Sequence, residues 1–444
     1  MSDQNLAASA EARARFIRAQ LPQDGLFTGH EWRISPSPFL LGEDLAAELE
    51  GLGRLLLQFN RSVNLLYRQS LAGKQPSWVA AWLDQGKPPA LLEAQRAATF
   101  KNELPRVIRP DLILTESGPF ITELDSVPGG IGLTAWLNQT YSAAPGHAAP
   151  VIGGANGMAS GFASIFGEAR NVHIVISEEA QTYRPEMAWL AGQLGGRFQV
   201  RDSRFENFEA GDAVYRFFEL FDLPNVQNSP KILELAMAGQ IRLISPPKPI
   251  FEEKMLFALL WNRHLREFWR QELGARFFER LQRLTPYTWM VDPAPLPPQG
   301  ALPELGLTNW GQLKGLSQRE RELILKVSGF SEKAWGARGV YLGSDLSIAE
   351  WSAAVDEAIA AFPASPYVLQ RYHRPSQVEA QWFDFIHNQL TPMPGRVRLC
   401  PYYFVGGEGD AARASLSGVL ATICPADKKI IHGMSTAILA PCSV

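Results

Sequence analysis

Apolar residues recur along positions 43–70 at Leu45, Leu49, Leu52, Leu56, Phe59, Val63 and Leu66. The steps alternate between four and three, which predicts one buried face of a long helix. Such a face is core rather than chemistry. The stretch "RPDLILTESGPFITELDSVPGGIG", residues 109–132, follows as two alternating runs around Glu116-Ser117-Gly118, and predicts a short antiparallel hairpin. Residues 172–201 read strand ("VHIVIS"), helix ("RPEMAWLAGQL"), Gly195-Gly196 and strand ("RFQVR"), a βαβ-like unit. Pro-rich "ISPPKPIFEEK" marks a boundary near 246, and a strongly apolar helix is predicted over about 253–272. Pro286, Pro293, Pro295, Pro297, Pro298 and Pro303 predict a surface connection over 286–303. From 322 onward, "ELILKVS", "RGVYLG", "YVLQRY", "VEAQWFDF", "RVRLCPYYFV" and "ASLSGVLATI" predict strands, interrupted by one helix over about 347–361. The fold class is therefore α+β, with a small inserted α/β unit.

Composition narrows the function classes. A chain of 444 residues has ample core, and its formal net charge of −3 offers no basic field for nucleic acid or an anionic membrane. No run approaches the roughly 20 apolar residues of a membrane span. The start "MSDQNLAASAEARARF" lacks the apolar stretch of a signal peptide. Cys400, Cys424 and Cys442 are odd in number and widely spaced, which argues against zinc and disulfides and for reduced thiols in a cytoplasmic protein. The seven histidines show no HExxH pattern.

The hairpin carries the candidate chemistry. With a three-residue turn at 116–118, Asp111 faces Glu123, and Arg109, Asp111, Glu123 and Asp125 share one face. A turn one residue longer would put Asp111 on the opposite face. Carboxylates directly opposed on a sheet repel. Either a divalent cation such as Mg²⁺ reverses that sign, or the face is simply solvated.

Two lysines bear on the choice. Lys254 stands in the first turn of the 253–272 helix, where the helix dipole disfavours a cation unless it reaches an anion. Lys326 lies mid-strand in "ELILKVS", on the face of Glu322, Ile324 and Ser328, with Leu323, Leu325 and Val327 on the core face. It leads into a loop with Gly329, Gly336, Arg338 and Gly339, whose spare N–H groups suit phosphate. The alternatives are a solvated lysine and a loosely packed loop. No GxxxxGK[ST] is present, so a Walker P-loop is excluded.

Together these motifs resemble the ATP-grasp ligases. Their order, carboxylates first and lysines later, resembles the circularly permuted, glutathione-synthetase-like branch. The local match is to the synthetase domain of glutathionylspermidine synthase, which has Arg-x-Asp followed by Glu-x-Asn, its Glu twelve residues after the Asp. Here Arg109-Pro-Asp111 is followed by Glu123 at that spacing, and Asp125 stands where that family has Asn. The resemblance implies Asp111, Glu123 and Asp125 as metal ligands and Arg109 beside the transferred phosphoryl group. It implies Lys254 and Lys326 as nucleotide-phosphate lysines, and Gly329, Gly336 and Gly339 as the loop over them. It also implies "VLQRY", with Gln370 and Tyr372, as the hinge strand that meets adenine. The loop has Ala337-Arg338-Gly339 where Arg-Glu-Gly is usual, which bears on Arg338 as a catalytic residue.

The implied domains are 1–145 (N-terminal helices and the metal-bearing hairpin), 146–245 (an inserted Rossmann-like α/β substrate unit) and 246–444 (the rest of the ATP-grasp domain). The implied activity is an ATP- and Mg²⁺-dependent carboxylate–amine ligase passing through an acylphosphate, with an amino acid or short peptide and an amine as substrates. A nucleotide-binding protein without ligase activity, in a regulatory or scaffold role, is the alternative. A phosphotransferase that stops at the phosphorylated acid is another. Glu178, Glu179 and Glu186 are read as solvated surface residues, with amine binding as their functional alternative. Trp310, Trp335 and Trp382 are read as packing.

Overall fold

A computed structural model describes residues 3–22, 32–146, 150–294, 302, 304–334, 338–429, 431 and 435–444. The long apolar stripe forms the helix Glu43–Leu71, with Leu49, Leu52, Leu56, Phe59, Val63 and Leu66 buried. That face packs on a seven-stranded sheet. Its main path runs Phe39–Leu40, Ile438–Ser443, Arg413–Pro425, Gln389–Gly406, Val107–Thr115, Gly118–Asp125, and Val378–Asp384 pairs with Gln389–Gly406. One core joins the long helix, this sheet and the helices Met255–Trp261, Arg266–Leu273 and Ala275–Leu284.

A second, antiparallel sheet runs Val340–Leu342, Leu323–Val327, Tyr367–Arg371, Thr288–Met290. Leu323, Leu325 and Val327 pack against Trp351 and Val355 of the helix Ile348–Ala360, as the alternation predicts. Ser347 and Glu350 close the start of that helix with a capping box. The third sheet is wholly parallel, in the order Phe198–Arg201, Val172–Ile176, Ala213–Phe217, Arg242–Ile244. The βαβ-like unit is thus half of a four-stranded sheet. Every residue of Val172–Ile176 is buried, as suits a strand covered on both faces.

Three expectations are corrected. The hairpin turn is Glu116-Ser117 alone, because Thr115 pairs with Gly118, whose positive φ (111°) lies in a region that favours glycine. One strand then gains an extra residue, Thr122, as a bulge between the Leu112–Ile121 and Asp111–Glu123 pairs. The shorter turn and the bulge cancel, so Asp111 still opposes Glu123. The apolar helix is not continuous over 253–272. Asn262 turns extended (ψ 121°) and its side chain accepts a hydrogen bond from the His264 N–H, ending one helix and starting the next turn. The Pro-rich 286–303 stretch begins with a strand, Thr288–Met290, at a sheet edge; Pro295, Pro297, Pro298 and Pro303 lie outside the described residues.

The glycines of "PGGIG" fit the helix Ile131–Ala143 into a narrow space. A Cβ at Gly132 would lie 2.2 Å from the Glu186 carbonyl oxygen, and one at Gly129 would lie 2.2 Å from the Tyr183 ring. Gly130 adopts φ 85° against the Tyr402 hydroxyl. Gly132→Ala should therefore destabilise the protein by about 1–3 kcal/mol in urea denaturation. Gly192→Ala, on an exposed helical position with nothing near its Cβ, should instead stabilise by about 0.5–1 kcal/mol.

Candidate active site

A cleft of about 870 Å³ opens where the three sheets meet. The hairpin face supplies Arg109, Asp111, Glu123 and Asp125. The second sheet supplies Ile324, Lys326, Val340, Leu342, Gln370 and Arg371. The segments after two neighbouring strands of the parallel sheet supply Tyr183 and, at the start of the helix Arg184–Leu194, Glu186, then Phe218 and Glu219. These segments leave the carboxyl ends of the parallel strands Val172–Ile176 and Ala213–Phe217. The winding reverses between them, the usual ligand position in such sheets.

The positive groups that hold the acidic hairpin are side chains. Arg109 Nη2 lies 2.9 Å from Asp125 Oδ2 and 3.4 Å from Asp111 Oδ1. Arg398 Nη1 lies 3.1 Å from Asp111 Oδ2, and the Cys400 thiol donates to Asp111 Oδ1 at 3.4 Å. Burial works against ionisation of Asp111, but Arg109 and Arg398 outweigh it and hold the carboxyl below its ordinary value. Asp125 goes the other way. Burial lifts its carboxyl above the ordinary range despite Arg109 and the Val127 N–H, which donates to Oδ1 at 2.8 Å.

Both lysines reach the hairpin. Lys254 Nζ sits 2.7 Å from Glu123 Oε1, and its backbone N–H donates to the Ser328 carbonyl at 2.7 Å. Burial opposes the Lys254 charge, but Glu123 prevails and raises it above the usual lysine value. Lys326 is 8% exposed; its ammonium donates to Gln370 Oε1 at 3.0 Å and to the Thr122 carbonyl at 3.4 Å. Burial pushes Lys326 down to about 8, more than Glu123 restores. Its strand face therefore looks into the cleft and not onto the core.

The remaining candidates are spread more widely. Gln370 is buried, and its amide nitrogen donates to the Thr288 hydroxyl at 3.1 Å. Tyr372 lines the cleft and donates its N–H to the Glu322 carbonyl. Gly329 packs under the helix-start segment, where a Cβ would lie 2.3 Å from the Glu252 carbonyl oxygen. At Gly339 a Cβ would meet Val327 and Lys333. Gly336 and Trp335 lie outside the described residues. Arg338 is not among the cleft-lining residues. Its side chain is 59% exposed and pairs with Glu179 at 3.2 Å. Trp310 is buried in the core of the second sheet, and Trp382 lies under the Arg33 guanidinium.

Sequence reasoning missed several groups. Arg398 had one visible signal, a charge inside the apolar alternation of "RVRLCPYYFV". Glu186 is corrected outright, being 6% exposed rather than solvated. Its carboxylate accepts from the Gly130 N–H at 2.7 Å and the Leu133 N–H at 3.0 Å, closing the start of the helix Ile131–Ala143. Burial prevails over these two bonds and lifts it to about 7. Glu219 has no ion pair among the described residues, and burial, then Glu252, raise its carboxyl well above the ordinary value. Glu178 is exposed.

Asp111, Glu123 and Asp125 offer hard oxygen donors on one face. Each is engaged by a cationic side chain, and among the described residues no three His, Cys, Asp or Glu side chains form a ready metal cage. The donor set suits an ion that takes a few protein oxygens and shares the rest with phosphate and water, as Mg²⁺ does. No helix among the described residues is long and apolar enough to cross a membrane.

No protein-family model and no curated protein matches the sequence. Among solved structures, the chain is similar to a glutathione synthetase-like effector from Globodera pallida in apo form. The match covers 100% of this chain and 98% of that one, with a TM-score of 0.54 at 11% identity. It is also similar to a candidate gamma-glutamylcysteine synthetase from Methylobacillus flagellatus KT, over 92% of this chain and 89% of that one, with a TM-score of 0.43 at 12% identity. The first likeness shows that the fold is glutathione-synthetase-like.

The electrostatics yield two expected outcomes. Asp111→Ala leaves the half-buried Arg398 without its carboxylate and Arg109 with Asp125 alone, and should lower stability by about 1–3 kcal/mol in urea denaturation. Glu123→Ala breaks a pair whose carboxylate is 37% exposed and should change stability by no more than about 1 kcal/mol. The second outcome concerns pH. The folded Glu186 carboxyl titrates near 7, above its ordinary 4.5, so the native state holds that proton more tightly than the unfolded chain. Its contribution is full below about pH 4.5 and declines as pH rises through about 7. Relative to Glu186→Gln, the wild type should lose about 3 kcal/mol between pH 4.5 and pH 7.5, read from urea midpoints across that range.

Proposed function

We propose that the chain is an ATP-dependent carboxylate–amine ligase built on a circularly permuted ATP-grasp architecture. The observation that carries this reading is convergence. Lys254 from a helix start and Lys326 from a separate sheet both meet the acidic hairpin, one on Glu123 and one on the Thr122 carbonyl. Two buried cations on one acidic face suit a polyphosphate that arrives with a divalent cation.

In this reading Lys254 and Lys326 bind the nucleotide phosphates, and Lys254 exchanges Glu123 for a phosphate oxygen. Arg109 and Arg398 face the transferred phosphoryl group and the substrate carboxylate, and offset the negative charge that builds up there. Asp111 keeps both guanidinium groups in place. Mg²⁺, when bound, would neutralise phosphate charge from Asp111, Glu123 and Asp125, with Glu123 the most accessible of the three. Gln370 and Tyr372 stand at the base end beside Ile324, Val340 and Leu342, an apolar slot for a purine. The acid is activated as an acylphosphate, and an amine displaces phosphate to form the amide. No side-chain nucleophile is required, since the chemistry rests on positioning and charge. The resemblance makes Gly329, Gly336 and Gly339 the glycines of the phosphate loop, and Arg338 would join the site only by leaving Glu179. The amine enters from the parallel-sheet side, where Glu219 stands without a cationic partner among the described residues.

The test is phosphate release from MgATP, screened over amino acids and short peptides crossed with amines and polyamines. The nucleotide product should be ADP; AMP with pyrophosphate would mean adenylation and would end this reading. MgATP binding without turnover across the screen would favour the nucleotide-binding protein without ligase activity. Lys326→Met should weaken MgATP binding by about 1.5–3 kcal/mol, on the order of ten- to a hundredfold, in titration calorimetry. Normal binding by that variant would remove Lys326 from the nucleotide site.

A further inference from the structure

Beneath the two lysines lies a buried polar chain of Lys87, Glu253 and Ser328, none of which lines the cleft. Lys87, in the connection between the helices Ser77–Asp84 and Pro89–Arg96, forms an ion pair with Glu253, and the two side chains are 0% and 1% exposed. Glu253 also accepts a hydrogen bond from the Ser328 hydroxyl. That same oxygen accepts from the Met255 N–H at 2.9 Å, while the Ser328 carbonyl accepts from the Lys254 N–H at 2.7 Å. Ser328 N–H in turn donates to the Pro366 carbonyl at 2.8 Å, at the start of the hinge strand. Gly329 is pressed onto the same carboxylate, where a Cβ would lie 3.0 Å from Glu253 Oε2. The Lys87 ammonium also stands 5.7 Å from the centre of the Phe330 ring, on the far side of that glycine.

Ser328 is two residues from Lys326, and Glu253 is the neighbour of Lys254. The chain from Lys87 through Glu253 to Ser328 thus joins the element that carries one lysine to the element that carries the other. We infer that Lys87, Glu253 and Ser328 are positioning residues that fix the separation of Lys254 and Lys326 and anchor the root of the glycine loop. The inference rests on the proposed nucleotide site and deepens it. A lone buried carboxylate at the root of a phosphate site would repel phosphate, and Lys87 cancels that charge from outside the cleft. A packing role alone would put no hydroxyl, carboxylate and ammonium in one file, since burying them unpaired is unfavourable.

A double-mutant cycle separates positioning from simple stabilisation. MgATP is titrated into the wild type, Lys87→Met, Lys326→Met and the double variant, with unfolding temperatures measured alongside. Positioning predicts that Lys87→Met weakens MgATP binding about tenfold, and that it weakens Lys326→Met by clearly less than that, because part of the loss is transmitted through Lys326. Multiplying losses, or unchanged affinity beside a lowered unfolding temperature, would reduce the chain to a structural tie. Because Lys87→Met leaves Glu253 buried without its cation, Ser328→Ala is run in parallel. It keeps the ion pair, cuts the link, and should weaken MgATP binding several-fold with little change in unfolding temperature. Normal MgATP affinity in Ser328→Ala would overturn the inference while leaving the nucleotide site standing. A wild type that takes up no MgATP would overturn both.

Discussion

Asp111 between Arg109 and Arg398 is the contact on which the rest of the cleft depends. Two carboxylates opposed at about 4 Å in a medium of effective dielectric near 20 repel by about 4 kcal/mol. Without compensation the hairpin would not hold Asp111 against Glu123. The two guanidinium groups, with Lys254 on Glu123, turn that repulsion into attraction. Arg398 belongs to the strand Gln389–Gly406, which pairs with Val107–Thr115, so the same contact binds the hairpin to the longest strand of the sheet. A residue of the proposed site is therefore also a residue of the fold.

The parallel sheet is tied to this centre by a different device. Glu186 leaves its own helix to close the start of the helix that follows the hairpin, and Tyr402 reaches across to the Gly129 carbonyl at 2.8 Å. Glycine at 129, 130 and 132 lets these groups approach. The result places the carboxyl ends of two parallel strands opposite Arg109 and Asp125. One wall of the cleft is thereby rich in cations and the other carries carboxyl groups raised by burial, Glu186 and Glu219. In the proposed reading, the cationic wall takes the polyanion and the carboxyl wall the amine.

Periodicity made much of the framework legible: the long helix, the hairpin, and the core face of the Lys326 strand all follow from apolar spacing alone. Side-chain exposure in the cleft did not follow. Glu186 and Arg398 lie on elements whose pattern tells which face turns inward but not that another element arrives to pair with them. The break at Asn262 was hidden because apolar positions resume at helical spacing just beyond it, at Leu265, Phe268 and Trp269, and a side-chain bond from the His264 N–H marks the break. Arg338 shows the converse. A loop arginine beside glycines suggests phosphate, yet a distant Glu179, brought near by the parallel sheet, takes it up.

The bulge at Thr122 shows how a local irregularity can be the connecting part. A regular hairpin with a two-residue turn would set Asp111 opposite Thr122 and turn Glu123 to the other face. The extra residue restores the Asp111–Glu123 pair and leaves Thr122 without a cross-strand partner. Its hydroxyl then donates back to the Asp111 carbonyl at 3.2 Å, and its own carbonyl lies 3.4 Å from the Lys326 ammonium. A bulge bends its strand and re-aims what it carries. Here it aims a backbone oxygen at a lysine of another sheet, so that Lys326 stays ordered by Gln370 and Thr122 while its charge is not cancelled by a carboxylate. Lys254 is held by Glu123, Lys326 only by neutral oxygens. Lys326 is the less compensated cation: burial lowers its proton affinity by more than the nearby Glu123 and Asp111 restore, so an incoming anion would gain most from meeting it there.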